Sequence, residues 1–186
     1  TLNSAGAAAE SFIEATTVTN TGGTWTFGTA NGTQSLRIGA GGLIIGNGST
    51  IAVGASVASP NFISLGGNVT STAATTTNTI SGAGSLNLNA TRTFNVADGA
   101  AASDLTIASI IADGTGTGAL IKTGPGTQTL TAANTYSGST TIDGGILALG
   151  TAGSIANTTA INIAAGAGLN TSSQPTYTMP TGRTFT

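Results

Sequence analysis

Apolar residues two positions apart recur along almost the whole of this 186-residue chain: Leu36/Ile38, Ile51/Val53, Leu86/Leu88, Phe94/Val96, Leu105/Ile107, Leu147/Leu149 and Ile161/Ile163. That spacing puts both members of a pair on one face of a strand. The pairs predict strands at 24–28, 35–38, 42–45, 50–53, 61–65, 77–80, 85–88, 93–96, 105–107, 119–122, 128–131, 140–142, 146–149, 160–163, 168–171 and 176–179. Gly-rich turns separate them, among them Gly39–Gly42, Gly46–Gly48, Gly82–Gly84, Asp113–Gly118 and Asp143–Gly145. Glycine supplies positive φ and Asn or Asp tolerates it, which is why these residues punctuate the pattern.

Short strands of similar length, recurring every seven to ten residues or so, do not suit a sandwich, which uses longer strands, larger aromatics and hairpin turns. They suit an all-β solenoid: a parallel β-helix whose coils bury small apolar pairs against the coils above and below. Steric preference makes such coils right-handed. At about 20 residues per coil the chain would wind eight or nine times, and strand spacing makes that stack about 40 Å long. Residues 24–186 are expected to form the solenoid and residues 1–23 an N-terminal arm or cap. Within the latter, Ser4–Ala15 is Ala-rich with Glu10 and Glu14 four apart. It reads equally as a short helix capped at Ser4 or as an irregular arm.

Charged residues are 5% of the chain, against about a quarter in an ordinary domain. The net charge of −2 and the many β-branched residues argue against disorder, which goes with high net charge and few of them. No apolar run is long enough to cross a bilayer as a helix. The chain starts at Thr1 and stops in the strand-like Arg183–Thr186, and is expected to be a processed product or an excerpt of a longer polypeptide with an uncapped last coil.

The chemistry available is narrow. With no His and no Cys, catalytic triads and soft-metal sites are excluded. The six acids are Glu10, Glu14, Asp98, Asp104, Asp113 and Asp143, and three of the Asp residues precede Gly as turn signatures. Asp98 and Asp104 are the pair best placed for polysaccharide cleavage, and a poor one. No nucleotide loop, calcium repeat or basic track for nucleic acid is present. No catalytic residue, metal or cofactor is therefore expected. Aromatic faces stack on sugars, so Trp25, Tyr136 and Tyr177 are the candidate surface contacts. Structural roles are the stronger expectation for Trp25 and Tyr136.

The densest pattern lies between Gly118 and Leu149. It runs Gly118-Ala119-Leu120, Lys122-Thr123-Gly124, Gly126-Thr127, Thr129-Leu130, Asn134-Thr135-Tyr136-Ser137-Gly138, Thr140-Thr141-Ile142 and Gly144-Gly145 with Leu147. This order resembles the autotransporter-associated β-strand repeat of bacterial surface proteins. It departs from that pattern at Gln128, where Leu is usual, and at Ala132, Ser139 and Ile146. The resemblance implies export to the bacterial cell surface and a passenger role. The motif residues Lys122, Gly124, Gly126, Asn134, Tyr136, Gly138, Gly144 and Gly145 are expected to organise the fold. Lys122 should meet turn carbonyls rather than act as a nucleophile, and Asn134 should bond backbone at a corner.

The expectation for function is a structural, non-enzymatic extracellular fibre or adhesin stalk. Its partners would be further repeats of the same polypeptide or other copies of the chain. The alternatives are a module binding carbohydrate or a host or abiotic surface, and a β-helical polysaccharide-degrading enzyme.

Overall fold

The computed structural model describes residues 11–27, 34–54, 61–178 and 184–185. All regular structure among them is β, and every strand pair is parallel. The first coil holds β1 (Ser11–Asn20) and β2 (Thr24–Phe27), the second β3 (Gln34–Ile45) and β4 (Thr50–Val53). The third holds β5 (Phe62–Leu65), β6 (Val69–Ser71) and β7 (Asn78–Ser81), and the fourth β8 (Ser85–Asn87), β9 (Thr91–Val96) and β10 (Leu105–Ile107). The fifth holds β11 (Ile110–Ala112), β12 (Ala119–Thr123) and β13 (Thr127–Leu130). The sixth holds β14 (Thr140–Ile142) and β15 (Ile146–Leu149), and the seventh β16 (Ala160–Ile163) and β17 (Gly168–Asn170), followed by β18 (Thr184–Phe185). Seven levels joined by six coil-to-coil steps make a parallel β-solenoid of about six turns.

Three faces run along the stack. The first is built from the leading halves of β1 and β3, then β5, β8 and β11. The second continues from the trailing halves of β1 and β3 through β6, β9, β12, β14, β16 and β18. The third runs from β2 through β4, β7, β10, β13 and β15 to β17. Like residues stack in register inside. Leu36, Ile63, Leu86 and Ile111 follow one another on the first face, and Ile51, Ile80, Ile107, Leu130 and Leu149 on the third. All of these are buried. Since apolar burial stabilises by roughly 25 cal/mol per Å², the interior columns are the main force holding coil on coil. Outward on the third face, Thr24, Thr50, Thr79, Thr106 and Thr129 form a matching column, as suits a β-branched residue at a solvent surface.

Four expectations change. Residues 11–15 belong to β1, so the helix over 4–15 does not hold there; residues 4–10 lie outside the described part. The β-branched residues Ile13, Thr17, Val18 and Thr19 pair along β3, and that pairing outweighs the local helix tendency of the alanines. Gly39–Gly42 is not a turn between two strands. β3 runs through it as one strand and changes partner there, from β5 to β6. Coils are also longer than 20 residues over most of the stack, so there are fewer of them. Ile51 faces Ile80, 29 residues on, and only towards the C-terminal side does the step fall to 19, where Leu130 faces Leu149. Finally, Thr176–Thr178 carry no strand, and Met179 lies outside the described residues.

Candidate functional site

What these residues can do depends on how one coil is held to the next, and three groups of buried polar side chains do that holding. A polar seam runs along the corner between the second and third faces. Asn20 Nδ2 donates to Thr50 O at 3.0 Å, and Ser49 Oγ donates back to Asn20 O at 2.8 Å. Asn78 accepts from Gly48 N at 2.9 Å and donates to Ser71 Oγ and Thr72 O, both at 2.9 Å. In the next coil Asp104 accepts from Gly99 N at 2.7 Å and from Thr127 N at 2.8 Å. Each link ties a corner to the adjacent coil or closes a turn, and buried polar groups are tolerable because they are paired.

Lys122 continues this seam. Its register partners are Phe94 below and Ile142 above, so the sequence sets a lysine in an apolar column. It is fully buried. Its Nζ donates to Thr123 O at 2.8 Å, Gly124 O at 2.9 Å and Gly144 O at 3.0 Å, which uses all three ammonium hydrogens. Two of these carbonyls lie in its own corner and the third in the corner of the next coil. Burial draws the ammonium down to about 8, against the opposing pull of the Asp104 charge. The corner itself needs glycine at Gly124, whose φ is 78° and whose missing Cβ would run into Val96 O. The same holds at Gly145, with φ 62° and Gly126 O 2.5 Å from where a Cβ would stand.

At the opposite side of the coil, Asn134 spans three levels. Its Oδ1 accepts from Ile111 N at 2.9 Å in the coil below, and its Nδ2 donates to Ser154 O at 3.0 Å in the coil above. Asp113 makes the neighbouring link, accepting from Gly118 N, Ser137 N and Ser137 Oγ, each at 2.8 Å. Burial alone would raise its carboxyl, but these hydrogen bonds outweigh it and hold the group below the usual carboxylate range. Tyr136 is buried in the core beside them. Thr140 donates to Thr158 Oγ1 at 3.1 Å, so its hydroxyl must accept from Tyr136 Oη at 2.7 Å; Thr158 in turn donates to Gly138 O at 2.7 Å. Desolvation pushes the phenol well above its ordinary range.

The structure therefore sorts the sequence candidates. Lys122, Gly124, Asn134, Tyr136, Gly138, Gly144 and Gly145 all sit at coil-to-coil contacts, and Gly126 packs over Ala97 O and against Asp104 in the coil below. Tyr136 is not a surface contact, because the phenol is needed to fill the interior. Trp25 stands in register with the inward-facing Ile51, and it and Tyr177 are half-buried against the core. The three aromatics form no common outer face. Asp104 is spent on two backbone amides, while Asp98, Asp143 and Glu14 are exposed; Glu10 lies outside the described residues. Among the described residues no three acids gather at one place. Asn20 and Asn78 are not among the residues the sequence singles out. A signal for them exists: Asn78 and Asp104 are one coil apart, and each stands just ahead of an apolar strand (Thr79-Ile80, Leu105-Thr106-Ile107).

Comparison with known families matches residues 120–149 to the passenger-associated-transport-repeat. Curated proteins and solved structures bring no match. The matched segment is one 20-residue coil with its successor strands laid directly above, Leu120 on Thr140 and Lys122 on Ile142. The family suggests a secreted or cell-surface structural domain that is not catalytic. Residues 120–149 match the passenger-associated-transport-repeat and are set in register within a parallel β-solenoid, and the chain fits an autotransporter-associated β-repeat protein.

Proposed function

We propose that the chain is a non-enzymatic structural segment of an extracellular surface protein, the stalk of an adhesin or a fibre. One observation carries this reading: strand pairing passes unbroken from coil to coil through the repeat, and the polar side chains of Asp113, Lys122 and Asn134 are consumed in fastening coils rather than presented to a ligand. Such a body serves as a spacer, because each coil depends only on its neighbours and more coils lengthen it without changing its design. Terminal coils of any solenoid expose unpaired strand edges. Further repeats of the same polypeptide, or other copies of the chain, would continue the stack through those edges.

Electron microscopy of the purified chain tests the assembly part. Filaments with an axial repeat close to the length of one stack support end-to-end assembly. A monomer that persists on raising the concentration removes it and leaves the chain as a stalk segment.

A further inference from the structure

We propose that Asn47 is a latent self-modification site, which Asn78 of the next coil holds unreactive for as long as the two coils stay stacked. Asn47 heads one of the two Asn-Gly pairs in the chain; the other, Asn31–Gly32, lies outside the described residues. An asparagine followed by glycine is the pair best suited to cyclise, because glycine has no Cβ to shield its amide nitrogen. This chemistry is independent of the stalk reading.

The reaction runs within the chain. Gly48 N gives up its proton to water and attacks Cγ of Asn47. The N–Cγ bond forms, the Cγ–Nδ2 bond breaks and ammonia leaves. Water then opens the cyclic imide at either carbonyl, giving aspartate or isoaspartate. In isoaspartate the main chain runs through the former side chain and is longer by one methylene.

Asn47 is exposed at the corner between β3 and β4, so water reaches it, and what restrains it is conformation. The turn Gly46–Ser49 is closed by Ser49 N, which donates to Gly46 O at 3.1 Å. Both central residues have positive φ, 55° at Asn47 and 67° at Gly48. These are the angles of a type I′ turn, in which Asn-Gly is a favoured pair. In that left-handed well ψ is about +47°, and an L-residue then carries its next amide nitrogen on the far side of the Cα–C bond from Cβ. The nucleophile and Cγ face away from each other, whereas reaction needs them about 3–3.5 Å apart. Cyclisation requires ψ of Asn47 to swing round, carrying the Gly48 amide with it.

Asn78 blocks that swing. Gly48 N donates to Asn78 Oδ1 at 2.9 Å, across 30 residues of sequence. Asn78 is fully buried, and its Nδ2 donates to Ser71 Oγ and Thr72 O, both at 2.9 Å, so the acceptor is itself fixed. Thr76 closes over the same glycine, where a Cβ would run into its Oγ1. The nitrogen that would react is therefore the nitrogen that links the two coils. When the coils part at this corner, Gly48 N is released and Asn47 can cyclise. Isoaspartate lengthens the turn and sets a carboxylate beside it, so the Gly48 amide no longer returns to Asn78. Separation of the coils is then recorded covalently.

Peptide mapping by mass spectrometry tests the site, on the whole chain incubated at mildly alkaline pH with and without unfolding concentrations of urea. Asn47 should convert to aspartate and isoaspartate more than about tenfold more slowly in the folded chain, because only molecules with the corner open react. Hydrogen exchange should find the Gly48 amide protected in the folded chain, and sub-denaturing urea should raise its exchange and the conversion of Asn47 in step. Asn78→Ala, in chains whose circular dichroism matches the parent, should speed conversion at Asn47 severalfold. Should Asn78→Ala not fold, the two measurements on the parent decide alone. Equal rates folded and unfolded, a Gly48 amide that exchanges freely while Asn47 stays intact, or a folded Asn78→Ala chain that reacts no faster than the parent overturns the proposal.

Discussion

Gln128→Leu should make this protein more stable, by an amount that the interior sets. Gln128 is fully buried in β13, and both its Oε1 and its Nε2 lack a hydrogen-bond partner. Its register neighbours are Leu105 in the coil below and Leu147 in the coil above. A buried polar group left unpaired costs about 1–3 kcal/mol in protein mutational data, and here one amide carries two such atoms. Leucine removes that cost and continues the leucine column, giving back about 1 kcal/mol or less for its one fewer side-chain heavy atom. The balance is a stabilisation of about 1–3 kcal/mol, and a chain of this size moves by roughly 2–4 °C per kcal/mol. Urea unfolding followed by circular dichroism is the assay, with an unchanged m-value showing that the denatured state has not shifted. Gln128→Ala separates the two contributions, since it sheds the amide but leaves a cavity, and should fall at or below the parent. If Gln128→Leu lowers the urea midpoint, the amide has a partner in solution and the reasoning fails.

The other predictions concern the fastening groups. Lys122 is drawn down to about 8 in the folded chain and returns to about 10.4 on unfolding, so between these values the unfolded state binds more protons and stability rises with pH. Thermal melts from pH 8 to 10 should climb for the parent and stay level for Lys122→Met. Above about pH 10 the trend should reverse, because Tyr136 and Tyr177 are raised when folded and ionise more easily once unfolded. Asn134→Ala strands the Ile111 amide, while Ser154 O loses the side-chain donor and keeps the backbone N–H of residue 134, and should cost about 1–3 kcal/mol in urea unfolding; an effect near zero would show that the three-coil bridge is dispensable. Asp113 is held low, so its contribution is full above about pH 4 and is lost as pH falls through its folded value. Acid titration should therefore separate the parent from Asp113→Asn, whose unfolding should be the less acid-sensitive of the two.

The fold was legible because period-two apolar pairs and glycine turns are local signals, and both survive in a solenoid. Thr50–Val53, Leu105–Ile107 and Thr140–Ile142 are strands at the bounds their residues predict. Coil length was not legible, because it is set by loops that have no period. The Ala97–Asp104 segment adds eight residues to one coil, whereas the corner after Lys122 turns in four. β1 was hidden for a related reason. Its register shifts between Ala15 and Thr17, which breaks the alternation that would have revealed it. At the fastening sites the motif pointed to Lys122 and Asn134, because both sit within a dense, ordered pattern. Asn20 and Asn78 sit in coils of unequal length, so their placing at one corner appears only once the coils are aligned in space.

The account rests on coils that stack in parallel and in register, and distance measurement between spin labels tests that directly. The chain has no cysteine, so labels go only where they are introduced. Thr24, Thr106 and Asn170 stand on one outward column, three rungs and six rungs apart. At the parallel-strand spacing, Thr24→Cys with Thr106→Cys should lie about 14 Å apart and Thr24→Cys with Asn170→Cys about 29 Å, before the reach of the labels is added. Narrow distributions whose separation doubles with the number of rungs are the predicted result. Broad distributions, or distances that do not scale with rung number, would contradict the solenoid and everything argued from it.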